Sequence, residues 1–245
     1  TMIVALFAAK FFQGRKGRRQ QPDINFVAWI SLLTMPSDMT LEKHRVIAID
    51  GPAASGKSSV SEKLSDHLGF LHVNSGIMYR AFAWSVLRSG IHAGDARAVV
   101  EHLHEIQMHC GVSGDKATVT VDGVDPGSEL KSSEVNAGVS AVSQVLEVRE
   151  VLVAKQREYL NVADIVMEGR DIGSVVFPET PYKFFIDASI EVRAQRRSKE
   201  GIIDDLAARD AIDSNRVVSH LVASDDAVVI DTSDMTIEEV LVEIL

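Results

Sequence analysis

The sequence predicts an α/β fold, a three-layer sandwich with a parallel central sheet, and three observations carry that prediction. The apolar runs "HRVIAID" (44–50) and "YKFFIDAS" (182–189) are too short for helices and read as strands buried on both faces. Segments of helical spacing lie between such runs, the alternation that builds parallel sheets. The first strand also runs into a glycine-rich loop, "GPAASGKSS" (51–59), which opens a helix. Gly51, Gly56, Lys57 and Ser58 complete G-x-x-x-x-G-K-[ST] in the strand–loop–helix context that a P-loop requires.

After the loop, Val60, Leu64 and Leu68 recur at helical spacing, so Lys57 to about Leu68 is expected to be helical. Gly51, Pro52, Ala53, Ala54, Ser55, Gly56, Lys57, Ser58 and Ser59 then form the candidate triphosphate site. In such a loop, backbone N–H groups and the helix N-terminus bind phosphate oxygens, the lysine reaches the β- and γ-phosphates, and the serine ligates magnesium. Gly51 and Gly56 permit backbone angles and approaches that a side chain blocks. The motif specifies triphosphate binding and is silent on the acceptor.

"FLHVNSGIMYRAFAWSVLRSGI" (70–91) reads as a short strand, a Ser-Gly turn and a second helix. Core packing accounts for Tyr79. For Arg80 two readings stand: a surface ion pair, or a cation facing the crevice at the carboxyl end of the sheet. "EIQMHCGV" and "ATVTVDGV" alternate apolar and polar residues around "SGDK", a β-hairpin forming a small antiparallel insert, and "DPGSEL" turns the chain out. His102, His104 and His109 lie nearby without zinc-site spacing; they are expected to be ordinary surface or hairpin histidines, and no structural metal is expected. Residues 133–160 are helical, with a break near Leu146; Ser140 and Arg149 read as helix-surface positions.

"VADIVMEGRDIGSVVFP" (162–178) brings the apolar run Ile165–Met167 into Glu168-Gly169-Arg170-Asp171-Ile172-Gly173. At the end of a parallel strand, Arg170 can clamp a phosphate and Asp171 can accept from an amine or hydroxyl; the alternative is a turn with a surface ion pair. Arg193, Arg196 and Arg197 fall on a helix, either as a solvated basic face or as a clamp over a triphosphate. In "RDAIDSNR", Arg209, Asp213 and Arg216 are spaced i, i+4 and i+7 and share one helix face suited to a sugar or base. "DDAVVIDTSD" is a last strand, and Thr236 and Glu239 cap a last helix.

A formal net charge of -10 excludes a general nucleic-acid-binding surface. A single cysteine, Cys110, excludes an internal disulfide and suits a reducing compartment. Charge is uneven. Residues 1–34 carry Lys10, Arg15, Lys16, Arg18 and Arg19 against Asp23, a net of +4 that leaves -14 for the rest. The apolar runs of that segment fall short of the ~20 residues that span a membrane, and its basic cluster follows an apolar run instead of preceding it as in a secretory signal. Residues 1–38 are expected to lie outside the fold. The leading reading is a mis-called start, with Met35 or Met39 the natural one, or a fragment; an organelle-targeting segment and an interaction or membrane-surface arm are the others.

From about Arg45 onward, the ordered set "IDGPAASGKSS", "NSGIMYRA", the hairpin, "VSAVSQVLEVREVL", "EGRDIGSVVFP", "KFFIDAS…VRAQRR" and "RDAIDSNR" resembles the bacterial-type cytidylate kinases, P-loop enzymes that pass the γ-phosphate of ATP to CMP or dCMP. The resemblance implies a kinase domain over 39–245, with core 44–100, 161–192 and 217–245, a CMP-binding insert at about 101–160 and a short lid at about 193–216. It implies that Ser75, Arg80 and Arg170 hold the CMP phosphate, that Ser140, Arg149 and Asp171 read cytosine with help from Arg216, and that Arg209 and Asp213 contact the sugar. Lys57, Arg80, Arg170 and Arg193 or Arg197, with magnesium on Ser58, would offset charge on the transferring group; no general base is needed, and Asp50 is at most an outer-sphere group for the metal. A monomeric cytoplasmic enzyme acting on small molecules, without nucleic acid or a membrane span, is implied. Two departures stand out: the stretch from Arg197 to Arg209 is short for such a lid, and Asn74 stands where aspartate is frequent. The competing readings are a small-molecule kinase with another acceptor and a nucleotide-binding regulator with little turnover.

Overall fold

Seven strands form one sheet in the order β3-β4-β2-β5-β1-β6-β7 in the computed structural model, which describes residues 44–114, 116–199 and 221–245. They are β1 Val46–Asp50, β2 Leu71–Asn74, β3 Met108–Ser113, β4 Lys116–Val121, β5 Ile165–Gly169, β6 Lys183–Asp187 and β7 Val228–Asp231. The helices are α1 Lys57–Leu68, α2 Ser75–Arg88, α3 Ala96–Glu105, α4 Ser133–Val142, α5 Leu146–Glu158, α6 Ile190–Lys199 and α7 Ile237–Ile244. Helices cover both faces of the sheet. Central strands β1 and β5 are buried at every position, which is why they read as unbroken apolar runs. Their parallel register sets Ile49 beside Glu168 and Asp50 beside Gly169, while β2 sets Asn74 beside Glu168. The carboxyl ends of β2, β5, β1 and β6 therefore line one edge, where open α/β sheets bind ligands.

Several local expectations change. The hairpin forms as predicted, pairing Met108–Val121 to Ser113–Lys116 across Gly114, but β4 also runs parallel to β2 at His72–Lys116. The insert is thus the outer edge of the main sheet. The inward-facing Val119 and Val121 are buried, and α2 packs against β4. The Ser-Gly pair expected as a turn is the first turn of α2. Helix α3 was not anticipated, although Asp95 caps it by accepting from Ala98 N at 3.1 Å. His102 of that helix is buried and meets Ser85 Oγ at 3.2 Å, a core histidine instead of a surface one, because Val99 and Leu103 turn the same helix face inward. The break between α4 and α5 falls where "SQV" separates them. Thr236 and Glu239 form the reciprocal cap: Thr236 N donates to Glu239 Oε2 at 2.9 Å, and Glu239 N to Thr236 Oγ1 at 3.3 Å.

The main core joins Met78, Phe82 and Val86 of α2, Val139 and Val142 of α4, Val148 and Leu152 of α5, and Ile165 and Met167 of β5. Tyr79 belongs to it, as expected. Leu152 is fully buried, so Leu152→Ala is expected to cost about 2–5 kcal/mol in a urea melt with an unchanged m value; a loss under ~1 kcal/mol would show that α5 is not seated in this core.

Candidate active site

The loop after β1 takes its shape from backbone constraints. A Cβ at Gly51 would stand 2.0 Å from the Ile186 carbonyl oxygen of neighbouring β6, so only glycine fits. Gly56 caps α1 at φ +92°, and Ala54 holds φ +61°, a left-handed conformation that costs a non-glycine residue about 1–2 kcal/mol. Lys57 is buried and its Nζ donates to Pro52 O at 3.0 Å, so its charge lies inside the curl of the loop. Helix α6 braces the same loop from outside. Arg193, also buried, donates to Ala188 O at 3.0 Å and to Ala53 O at 3.3 Å. Arg196 donates to Ser55 O at 3.0 Å and to Thr232 O at 2.8 Å, and Thr232 Oγ1 reaches Ser55 O at 2.9 Å. Arg193 and Arg196 are therefore not part of a solvated face. Arg197 is half-buried on α6.

Two buried carboxylates connect the loop to the rest of the edge. Asp50, at the end of β1, accepts from Ile172 N and Gly173 N, each at 2.8 Å. Burial pushes its carboxyl up to about 6 against these two bonds. Glu168 of β5 accepts from Ser58 Oγ at 2.6 Å and Asn74 Nδ2 at 2.7 Å, with His72 Nε2 at 3.2 Å. Burial alone would raise Glu168, but the His72 hydrogen bond, the Lys57 charge and the Ser58 hydroxyl together hold it below the usual carboxylate range. Glu168 had no role assigned from the sequence, and the structure makes it a candidate site residue. An acid at the end of an apolar strand beside the loop strand is the Walker-B position, which holds the metal together with the loop serine. Ser58 and Glu168 are hard oxygen donors side by side at the N-terminus of α1, and they fit magnesium, which takes few protein ligands. Among the described residues, no group of three or more histidine, cysteine or acidic side chains forms a further metal cluster.

The other half of the edge follows from β5. Ser75 Oγ donates to Glu168 O at 2.8 Å, fixing the start of α2 to that strand. A Cβ at Gly169 would meet Ser75 Oγ at 2.6 Å, so the contact needs glycine there. Arg170 follows, half-buried, with Nη1 at 3.3 Å from Gly169 O. Asp171 and Arg149 are both buried and form an ion pair; Arg149 also donates to Ser143 O at 3.3 Å and lies over the Tyr79 ring at 5.6 Å. The helix-surface reading of Arg149 is thus wrong, because α5 packs its Val148 and Leu152 face into the core and carries Arg149 with it. Ser140 is half-buried on α4, and its carbonyl accepts from Ser143 Oγ at 3.0 Å. Arg80 Nη1 donates to Asn136 Oδ1 of α4 and, at 3.3 Å, to Leu130 O. After Asp171 the chain makes one wide turn, Ile172–Val176, whose carbonyls at Val175 and Val176 accept from Arg157 of α5 at 2.8 Å each. Arg209, Asp213 and Arg216 lie outside the described residues.

Fold and site together define a P-loop phosphotransferase. Residues 47–245 match the family model for cytidylate kinase, and the chain belongs to that family. It is 44% identical to the cytidylate kinase of Desulforamulus reducens over 84% of this chain and 97% of that one. It is 42% identical to the cytidylate kinase of Caldanaerobacter subterraneus subsp. tengcongensis, covering 80% and 90%, and to that of Nocardia farcinica, covering 84% and 94%.

Asp50 yields a pH prediction. Its folded value of about 6 lies above the ordinary 3.8, so its favourable contribution to stability is complete below pH 3.8 and is lost as pH rises through 6. The loss amounts to about 3 kcal/mol. The carboxyl carbon of Asp50 in NMR should titrate near pH 6; a midpoint at or below 4 would show that the two backbone bonds outweigh burial. Gly51→Ala is expected to prevent stable folding or to abolish nucleotide binding, read by thermal melts with and without ATP.

Proposed function

We propose that this chain transfers the γ-phosphoryl group of ATP to the phosphate of CMP or dCMP, giving ADP and CDP or dCDP. The observation that supports this most is the buried Arg149–Asp171 pair, next in sequence to Arg170 and held beside the phosphate loop through Asp50. A carboxylate there accepts from the exocyclic N4 amine that cytosine carries. Uracil presents a carbonyl at the same place, leaving a desolvated acceptor unpaired at a cost of about 1–3 kcal/mol.

In this reading residues 51–59 hold the triphosphate, Ser75, Arg80 and Arg170 hold the acceptor phosphate, and Ser140, Arg149 and Asp171 read the base. Arg209, Asp213 and Arg216 complete the nucleoside contacts. An oxygen of the acceptor phosphate forms the new bond to the γ-phosphorus while the bond to the β,γ-bridging oxygen breaks, and the electron pair leaves with ADP. The attacking oxygen is already anionic, so no side chain has to remove a proton. Lys57, Arg80, Arg170, Arg193 and Arg197 offset the charge of the transferring group and its two partners. Arg193 also holds the loop in shape through Ala53 O. Ser58 and Glu168 would hold magnesium, which would supply further neutralisation of the charge on the transferring group. The division proposed is a core at 44–100, 161–192 and 217–245, a CMP-binding insert at about 101–160 and a lid at about 193–216, in a monomeric cytoplasmic enzyme. No helix among the described residues is long and apolar enough to cross a membrane.

Coupled ADP release with ATP and magnesium tests this directly. CMP and dCMP are expected to exceed UMP by about 5- to 150-fold in kcat/KM, the equivalent of that penalty, and to exceed AMP. Asp171→Ala removes the carboxylate of a buried ion pair, a loss of about 3–5 kcal/mol, so the CMP/UMP ratio within the variant is the readout, not its absolute rate. That ratio should collapse toward one, with Asp171→Asn as the volume-conserving companion. If no monophosphate raises turnover above background, the assignment fails.

A further inference from the structure

An interior strand of a parallel sheet is expected to be apolar on both faces, yet β2 reads Leu-His-Val-Asn. Leu71 and Val73 point one way and are buried; His72 and Asn74, two residues apart, share the other face and are half-buried. Both side chains have the same target. Asn74 stands directly beside Glu168 in the β2–β5 register, and His72 stands two pairs earlier, beside Val166. Asn74 Nδ2 donates to Glu168 Oε1 at 2.7 Å, and His72 Nε2 lies 3.2 Å from that same oxygen. A carboxylate oxygen accepts, so in this contact Nε2 is the ring nitrogen that donates. The other oxygen, Oε2, is left to Ser58 at 2.6 Å. One oxygen is thus tied to β2 and the other to the first turn of α1. Two donors on Oε1 fix the final torsion of a long side chain, which is otherwise broad.

We infer that His72 and Asn74 are positioning residues that aim Oε2 of Glu168 at Ser58 and so set how strongly nucleotide binding depends on magnesium. The inference rests on the P-loop phosphotransferase reading and deepens it. It assigns β2 a task besides carrying Ser75, because the residue that starts α2 follows directly on Asn74. Groups that orient a metal's carboxylate ligand typically change metal affinity by about 10- to 100-fold when lost. Both side chains are turned to Glu168, so the expected signature is a shifted magnesium requirement with little effect on the monophosphate.

The experiment measures binding of a fluorescent ATP analogue to the full chain across a magnesium titration, in wild type, His72→Phe, His72→Gln and Asn74→Ala. ADP release with CMP is followed in parallel, and each variant is melted to confirm folding. His72→Phe and Asn74→Ala are expected to raise the half-saturating magnesium concentration about tenfold, to leave magnesium-free nucleotide affinity within about twofold, and to keep KM for CMP near wild type. His72→Gln, whose amide can still donate, should recover most of the loss. Magnesium curves that superimpose on wild type, with or without a lower melting temperature, would overturn the inference. So would a glutamine variant no better than phenylalanine, or wild-type binding that is indifferent to magnesium. Should His72→Phe fail to fold, Asn74→Ala carries the same test. A wild type that binds nucleotide in a magnesium-dependent way but releases no ADP with CMP would refute the acceptor assignment and leave this test intact.

Discussion

Everything at the carboxyl edge of the sheet depends on the Asp50 carboxylate accepting from Ile172 N and Gly173 N. Asp50 is the last residue of β1 and immediately precedes Gly51, so it fixes where the phosphate loop departs from the sheet. Ile172 and Gly173 open the turn that follows Arg170 and Asp171. Two hydrogen bonds at 2.8 Å therefore hold the phosphate-binding half and the Arg170–Asp171 half in one frame. Burial works against the charged form of Asp50, and the backbone donors work for it. A carboxylate in that position is retained for geometry, since an apolar residue would leave two buried N–H groups without acceptors.

The acids of this edge are all engaged with the protein itself. Asp50 takes two backbone donors, Glu168 takes side chains from α1 and β2, and Asp171 takes Arg149. Arginines and one lysine are spread around them: Lys57 within the loop, Arg193 and Arg196 against its backbone, Arg80 between α2 and α4, and Arg170 at the strand end. A chain with a net charge of -10 thereby gathers cationic side chains at the carboxyl edge of its sheet. Most of these cations already hold main-chain carbonyls, so their charge is in place before any ligand arrives, which is the condition for electrostatic stabilisation at low reorganisation cost.

The phosphate loop was legible because its constraint is local: Gly51, Gly56, Lys57 and Ser58 are needed within eight residues of one another. Six of the seven strands and the capped last helix were legible from apolar runs, alternation and the Thr-x-x-Glu signature, and β2 from its short run before Ser-Gly. Helix α3 went unread although its Asp95 cap and the Val99–Leu103 spacing were present, because only Val99, His102 and Leu103 of its ten residues are buried and so short an apolar stripe is a weak signal. The buried state of Arg149 had no local signal at all. Arginine on a helix is ordinarily a solvated residue, and only the packing of α5 against the core brings it to Asp171, 22 residues away.

By itself, then, the sequence determined the α/β class, the triphosphate loop, the hairpin and the family resemblance, since each is written in spacings short enough to survive without a fold. Tertiary structure decided which polar residues share a site. Glu168 meets Ser58 across 110 residues and Asn74 across 94, and Arg196 meets Ser55 across 141. It also decided that the hairpin extends the main sheet and that α6 braces the phosphate loop. The physical reason is register: one residue of slip in β5 against β1 and β2 would turn Glu168 to the opposite face, and register is set by the packing of the whole sheet, not by any stretch of it.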